Sequence, residues 1–145
     1  MLRLRDRKIL EALQLFRCMS RDQIATLYFR HVKNPITAAN YVLKRLRRDQ
    51  YIDVNMERKP YVYLLNPSTV KKNSQKIDHY LKIVDFYIDL CQYEEPIIFE
   101  VEKRHGPTFM QPDIFTVWRG KAFFVEIQNS RYTTALMQEK IQRYI

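Results

Sequence analysis

The chain has 145 residues, with 25 Lys and Arg against 16 Asp and Glu, a net charge of +9 and 46% hydrophobic residues. That size and apolar content support one medium or two small domains and exclude a disordered arm, and no apolar run approaches the roughly 20 residues of a membrane span. Two cysteines, Cys18 and Cys91, exclude a disulfide framework and predict a reducing, cytoplasmic setting, while two glycines, Gly106 and Gly120, leave no phosphate-cradling glycine loop.

Leu4, Ile9, Leu10, Leu13 and Phe16 form a helical stripe over residues 4–16. Ser20 followed by Gln23 is a capping box that predicts a second helix through about Tyr28, with Ile24, Leu27 and Tyr28 inward. Asn34 and Pro35 suit the N-cap and first turn of a third helix running to about Gln50. Two β-rich runs follow, 51–54 and 61–65, on either side of a polar loop that carries Arg58 and Lys59. Three short helices and then a ribbon is the order of a winged helix-turn-helix, and residues 1–67 are read as that domain.

At about 100° per residue, Ile36, Ala39, Val42, Leu43 and Leu46 share one face of the third helix. Thr37, Tyr41, Lys44, Arg45 and Arg48 occupy the opposite one. Three cations, a hydroxyl and a polar-tipped aromatic on an outer face are what a major-groove helix presents. Arg forks onto guanine, Lys and Thr hold phosphates, and Arg58 and Lys59 on the wing grip the adjacent backbone. The charge agrees with this, since residues 1–65 hold 14 Lys and Arg against 6 Asp and Glu, whereas residues 66–145 hold 11 against 10. A basic front half predicts double-stranded DNA as the partner.

The polar stretch from Asn66 to Gln75 reads as a linker, with a second domain over 76–145. That domain begins with an amphipathic helix over 77–91, then a strand at Ile97–Val101 and a loop around His105. Two β-rich runs, Gln111–Trp118 and Lys121–Gln128, flank Arg119-Gly120 and predict a hairpin. With a turn of two or four residues, Asp113 lies directly opposite Glu126, and Gln111 opposite Gln128. Like charges so placed repel, and a divalent cation such as Mg²⁺ or Mn²⁺ between them removes the conflict. A loop of three or five residues shifts the register and parts the two acids.

Pro112-Asp113, the hairpin, then Glu126-Ile127-Gln128 resembles the PD-(D/E)xK motif of the restriction-endonuclease-like superfamily. There the Asp and Glu ligate the metal and the Lys helps to place or activate the attacking water. The resemblance therefore implies a metal at Asp113 and Glu126, with Gln128 standing where the Lys belongs. Lys140, on the following helix, and Glu100 are further candidates. The whole layout, a winged helix, a linker, a helix from about His79, PD…ExQ and Lys140…Tyr144, resembles the replication-relaxation family of plasmids and other mobile elements. It implies an α+β chain whose second half is a reduced restriction-endonuclease-like α/β domain. It also implies a role in DNA replication or its control. Two alternatives stay open: a Mg-dependent DNA endonuclease, and a dimeric winged-helix transcriptional repressor. A nuclease-like core carries a further strand after the last helix. The expectations at Arg143-Tyr144-Ile145 are a reduced fold, a homodimer completing the sheet, or a longer parent chain.

Overall fold

A computed structural model describes residues 2–104 and 111–128. Among these the chain is α+β, with four helices and two three-stranded antiparallel sheets. In chain order the elements are α1 (Leu4–Phe16), β1 (Met19–Ser20), α2 (Arg21–Tyr28), α3 (Pro35–Arg48), β2 (Ile52–Asn55) and β3 (Val62–Leu65). They continue with α4 (Ile77–Cys91), β4 (Ile98–Val101), β5 (Ile114–Trp118) and β6 (Lys121–Val125). The chain divides into two compact units, Met1–Val84 and Asp85–Ile145. None of the described helices is long and apolar enough to cross a membrane.

In the first unit the apolar stripes meet as their spacing predicts. Ile9, Leu13 and Phe16 of α1, Ile24 and Ala25 of α2, and Ala39, Leu43 and Leu46 of α3 are buried together with Phe29. Each Ile, Leu or Phe among them contributes about 1.5–3 kcal/mol on burial, enough to outweigh modest local propensities. The match is incomplete: Leu4 is 71% and Ile36 38% exposed, and Leu10, Leu27 and Tyr28, expected inward, are half-buried, Ala25 and Phe29 filling the core beside α2. The ribbon is wider than the expected two strands. Met19 pairs with Tyr63 and Ser20 with Val62, so the sheet order is β1-β3-β2.

The predicted capping box is present. Ser20 Oγ accepts the Gln23 N–H at 3.1 Å, and Gln23 Oε1 accepts the Ser20 N–H at 3.0 Å. Gln23 Nε2 also donates to the Leu81 carbonyl at 2.9 Å. Ser20→Ala removes the cap from a helix of only eight residues. It is expected to cost about 1 kcal/mol, read as a lower urea midpoint of the helical circular-dichroism signal. Asn34 stands at the N-cap of α3 as expected but makes no side-chain cap bond, so Pro35 at the first turn carries that start.

In the second unit β5 lies at the centre of a β4-β5-β6 sheet. Val101, Ile114, Thr116, Phe123 and Val125 are buried on one face. Phe86 and Tyr87 of α4 contact Phe99, with ring centroids 6.5 and 4.9 Å apart. The hairpin turn is Arg119-Gly120, with φ of 52° and 76°. Positive φ at both turn residues is the twist-compatible solution for a two-residue hairpin. Glycine accepts that backbone freely, and Arg119 adopts it while its guanidinium lies 4.6 Å over the Trp118 ring.

Candidate functional site

Two clusters of polar chemistry stand out, one in each unit. The first is built on α3. Burial of Val42, Leu43 and Leu46 turns the opposite face outward, leaving Thr37, Lys44 and Arg48 exposed and Tyr41 75% exposed. Among the described residues Arg48 bonds its neighbour Asp49, at 3.1 Å with both side chains well exposed, a pair worth little in water.

Arg45 is placed differently from the other cations. Its Nη2 donates to Asp6 Oδ1 at 2.8 Å, and Asp6 is 1% exposed. The other oxygen of Asp6 accepts the Arg3 N–H at 2.9 Å, at the start of α1. Burial pushes the Asp6 carboxyl up, but the bonds from Arg45 and Arg3 outweigh it and hold the group below its ordinary value. Arg45 therefore ties α3 to α1, and its guanidinium is engaged. Arg45 follows the inward residues Val42 and Leu43 by less than one turn, so it borders the apolar stripe.

Beside α3 the β2–β3 hairpin forms the second wall of a groove of about 590 Å³. Arg21, Lys44, Arg47 and Lys59 line it, with Asn40 and Tyr61, and no acid among the described residues does. Lys59 Nζ stands 4.3 Å over the Tyr61 ring. Arg58, the neighbouring cation of the β2–β3 hairpin, bonds Asp78 Oδ1 at 2.6 Å on an exposed surface. Sequence reasoning had not singled out Arg21 and Arg47. Arg47 projects towards the hairpin, and only the position of β2 and β3 gives that side of the helix a meaning.

The second cluster lies at the end of the β4-β5-β6 sheet. The hairpin register is the expected one, Ile114 with Val125 through Trp118 with Lys121. Carried one step past its last pair, that register sets Asp113 opposite Glu126. The β4–β5 register, ending at Val101 with Ile114, likewise carries to Glu102 opposite Asp113. Glu102 N–H donates to the Asp113 carbonyl at 2.9 Å, and a carboxylate oxygen of each lies within 4.8 Å of the other. Asp113 Oδ2 accepts the Ile127 N–H at 2.7 Å, which fixes the carboxylate at the strand start. Glu102 has φ of 51°, a left-handed backbone that costs about 1–2 kcal/mol away from glycine. Glu126 is half-buried and Gln128 exposed. Glu100, also weighed from the sequence, bonds Lys103 at 2.8 Å. Lys140 and His105 lie outside the described residues.

Close carboxylates with fixed oxygens suit a hard divalent cation, which takes several oxygen ligands. Asp113 and Glu102 fit that requirement by separation, and the Ile127 N–H holds the Asp113 carboxylate in place. By contrast, Cys18 is fully buried and its thiol is pushed up to about 12 by that burial, which leaves it a core residue and no nucleophile.

The family model described as replication-relaxation matches residues 10–145 of the chain. No curated protein and no solved structure matches it.

Proposed function

Because the chain belongs to the replication-relaxation family, we propose that it is a DNA-binding protein of a plasmid or other mobile element, acting in replication or its control. In this proposal the first unit is a winged helix-turn-helix. Its α3 enters the major groove of duplex DNA and its β2–β3 hairpin is the wing. The observation that carries the proposal is the outer face of α3, where Thr37, Tyr41, Lys44 and Arg48 are exposed beside a groove that no acid among the described residues lines. Arg48 offers a fork for a guanine edge, Lys44 and Thr37 hold phosphates, and Arg58 and Lys59 follow the backbone from the wing. Arg45 supports the interface by holding α3 in place through Asp6.

Three cationic phosphate contacts, from Lys44, Arg58 and Lys59, give a predictable salt dependence. Duplex affinity is expected to fall roughly 40-fold between 50 and 200 mM salt. Fluorescence anisotropy of a labelled duplex measures this directly, and a complex indifferent to salt overturns the proposal.

A second reading is favoured by the row Glu102, Asp113 and Glu126: a Mg²⁺- or Mn²⁺-dependent DNA endonuclease of the PD-(D/E)xK type. Asp113, Glu126 and Glu102 would hold the ion, which when bound neutralises charge on the scissile phosphate and lowers the pKa of an attacking water. Gln128 would position that water by hydrogen bonding, since an amide cannot supply the positive charge of a lysine.

A further inference from the structure

The groove between α3 and the β2–β3 hairpin holds cations that the outer face of α3 does not account for. Lys44 and Arg47 are three residues apart on α3, so they project to one side within about 4.5 Å along the axis. Arg21 comes from the first position of α2 and Lys59 from the opposite hairpin. Among the described residues, Lys44, Arg47 and Lys59 have no carboxylate partner, and Arg21 has only the exposed Asp22 at 3.1 Å. The field of Arg21 and Arg47 reaches the groove floor, where both oppose the rise that burial imposes on the Tyr63 hydroxyl. Four cations around one concavity without an acid repel each other, and an anion seated among them removes that repulsion.

We infer that this groove is a phosphodiester-binding cleft that takes the backbone of one DNA strand, with Arg21, Lys44, Arg47 and Lys59 as its phosphate ligands. The inference rests on the DNA-binding proposal and adds Arg21 and Arg47 to the contacts it names. The chemistry favours a strand over a free nucleotide. Four charges exceed what a single phosphate balances, whereas successive phosphates along a strand match them. The neutral polar groups available to a base are few, namely Asn40 and tyrosine hydroxyls. The apolar floor from Val54, Met56 and Pro60 suits sugar faces. A site of this kind reads charge and spacing and is indifferent to sequence.

The test compares the parent chain with Arg21→Gln, Arg47→Gln and Arg47→Lys on two duplexes of unrelated sequence, from 50 to 200 mM salt. Each Gln variant is expected to lower the slope of log affinity against log salt by about 0.9, and to weaken binding roughly five-fold at 0.15 M on both duplexes. Arg47→Lys keeps the charge and is expected to keep the slope. Helical circular dichroism melts identical to the parent's establish that the Gln variants are folded. If the parent binds with a steep salt slope and both Gln variants retain it, the groove assignment falls and the DNA-binding proposal stands. If the parent binds neither duplex, both fall. Titration with ATP as the probe forms the other arm. ATP binding that is lost in Arg47→Gln, with the duplex slope unchanged, gives the groove to a free nucleotide and overturns the strand assignment.

Discussion

Asp6→Ala is expected to lower the stability of the first unit by about 3 kcal/mol, because it strands a guanidinium that was chosen to face a carboxylate. Asp6 serves two donors at once, Arg45 Nη2 and the Arg3 N–H, and it is 1% exposed. Arg45 keeps a quarter of its side chain in water, which sets the cost at the low end for a broken buried pair. At a slope of about 1.5 kcal/mol per molar urea, the midpoint falls by roughly 2 M. The probe matters, since the single tryptophan, Trp118, lies in the other unit. Helical circular dichroism reports the loss, and tryptophan fluorescence is expected to report little of it. Replacing both residues, Asp6→Ala with Arg45→Met, is expected to recover most of the loss, because no charge is then left unpaired. If Asp6→Ala shifts the helical midpoint by less than 0.5 M, the pair is not what holds α3.

The same pair sets an acid limit. The folded Asp6 carboxyl lies below its ordinary value of 3.8, so its contribution is fully present above that pH. The contribution is lost as pH falls through the depressed folded value. The parent is therefore expected to lose its advantage over Asp6→Ala below about pH 4, with the difference constant from pH 5 upward.

In the nuclease reading, Asp113→Asn is expected to reduce Mn²⁺-dependent cleavage of supercoiled DNA by 10²–10³-fold or more, a loss on the order of removing one charge stabiliser from a transition state. Asparagine is the informative substitution. Its amide oxygen still accepts the Ile127 N–H, so the hairpin end stays in place while the negative charge goes. Glu126→Gln is expected to behave alike. Glu102→Gln separates the two acids flanking Asp113: full cleavage in that variant removes Glu102 from the site and leaves the hairpin pair. A parent that cleaves nothing in Mg²⁺ or Mn²⁺ ends the nuclease reading, and leaves the DNA-binding proposal where salt titration puts it.

Much of this architecture is legible from residue spacing. The four helices follow their apolar stripes, because a stripe at helical period has one way to be buried. The β5–β6 register follows from Arg119-Gly120, because a two-residue turn leaves no slack. Three features escape such reasoning for identifiable causes. β1 has only two residues, too few for any alternation to register. The bond from Arg45 to Asp6 joins positions 39 apart, and helical azimuth ranks a residue as inward or outward without naming its partner. Glu102 falls opposite Asp113 by the same arithmetic that pairs Asp113 with Glu126. However, the segment between β4 and β5 is too long for its length to set a register, so only the folded chain reveals the third acid.

The backbone around Arg21 has a consequence for how fast the proposed DNA complex would form. Arg21 N–H donates to the Tyr61 carbonyl at 2.9 Å, and the Ser20–Gln23 box grips the chain on either side. One side of the cationic groove is thereby fastened to the strand that forms its floor before any ligand arrives. If the groove takes a DNA strand as proposed, this wall stands in place before collision, and little time would be spent on rearranging it. Association would then be expected to run at the pace of electrostatically guided diffusion, in a single phase whose rate constant drops with added salt. The lifetime of the proposed complex would be left to the contacts of the outer face of α3.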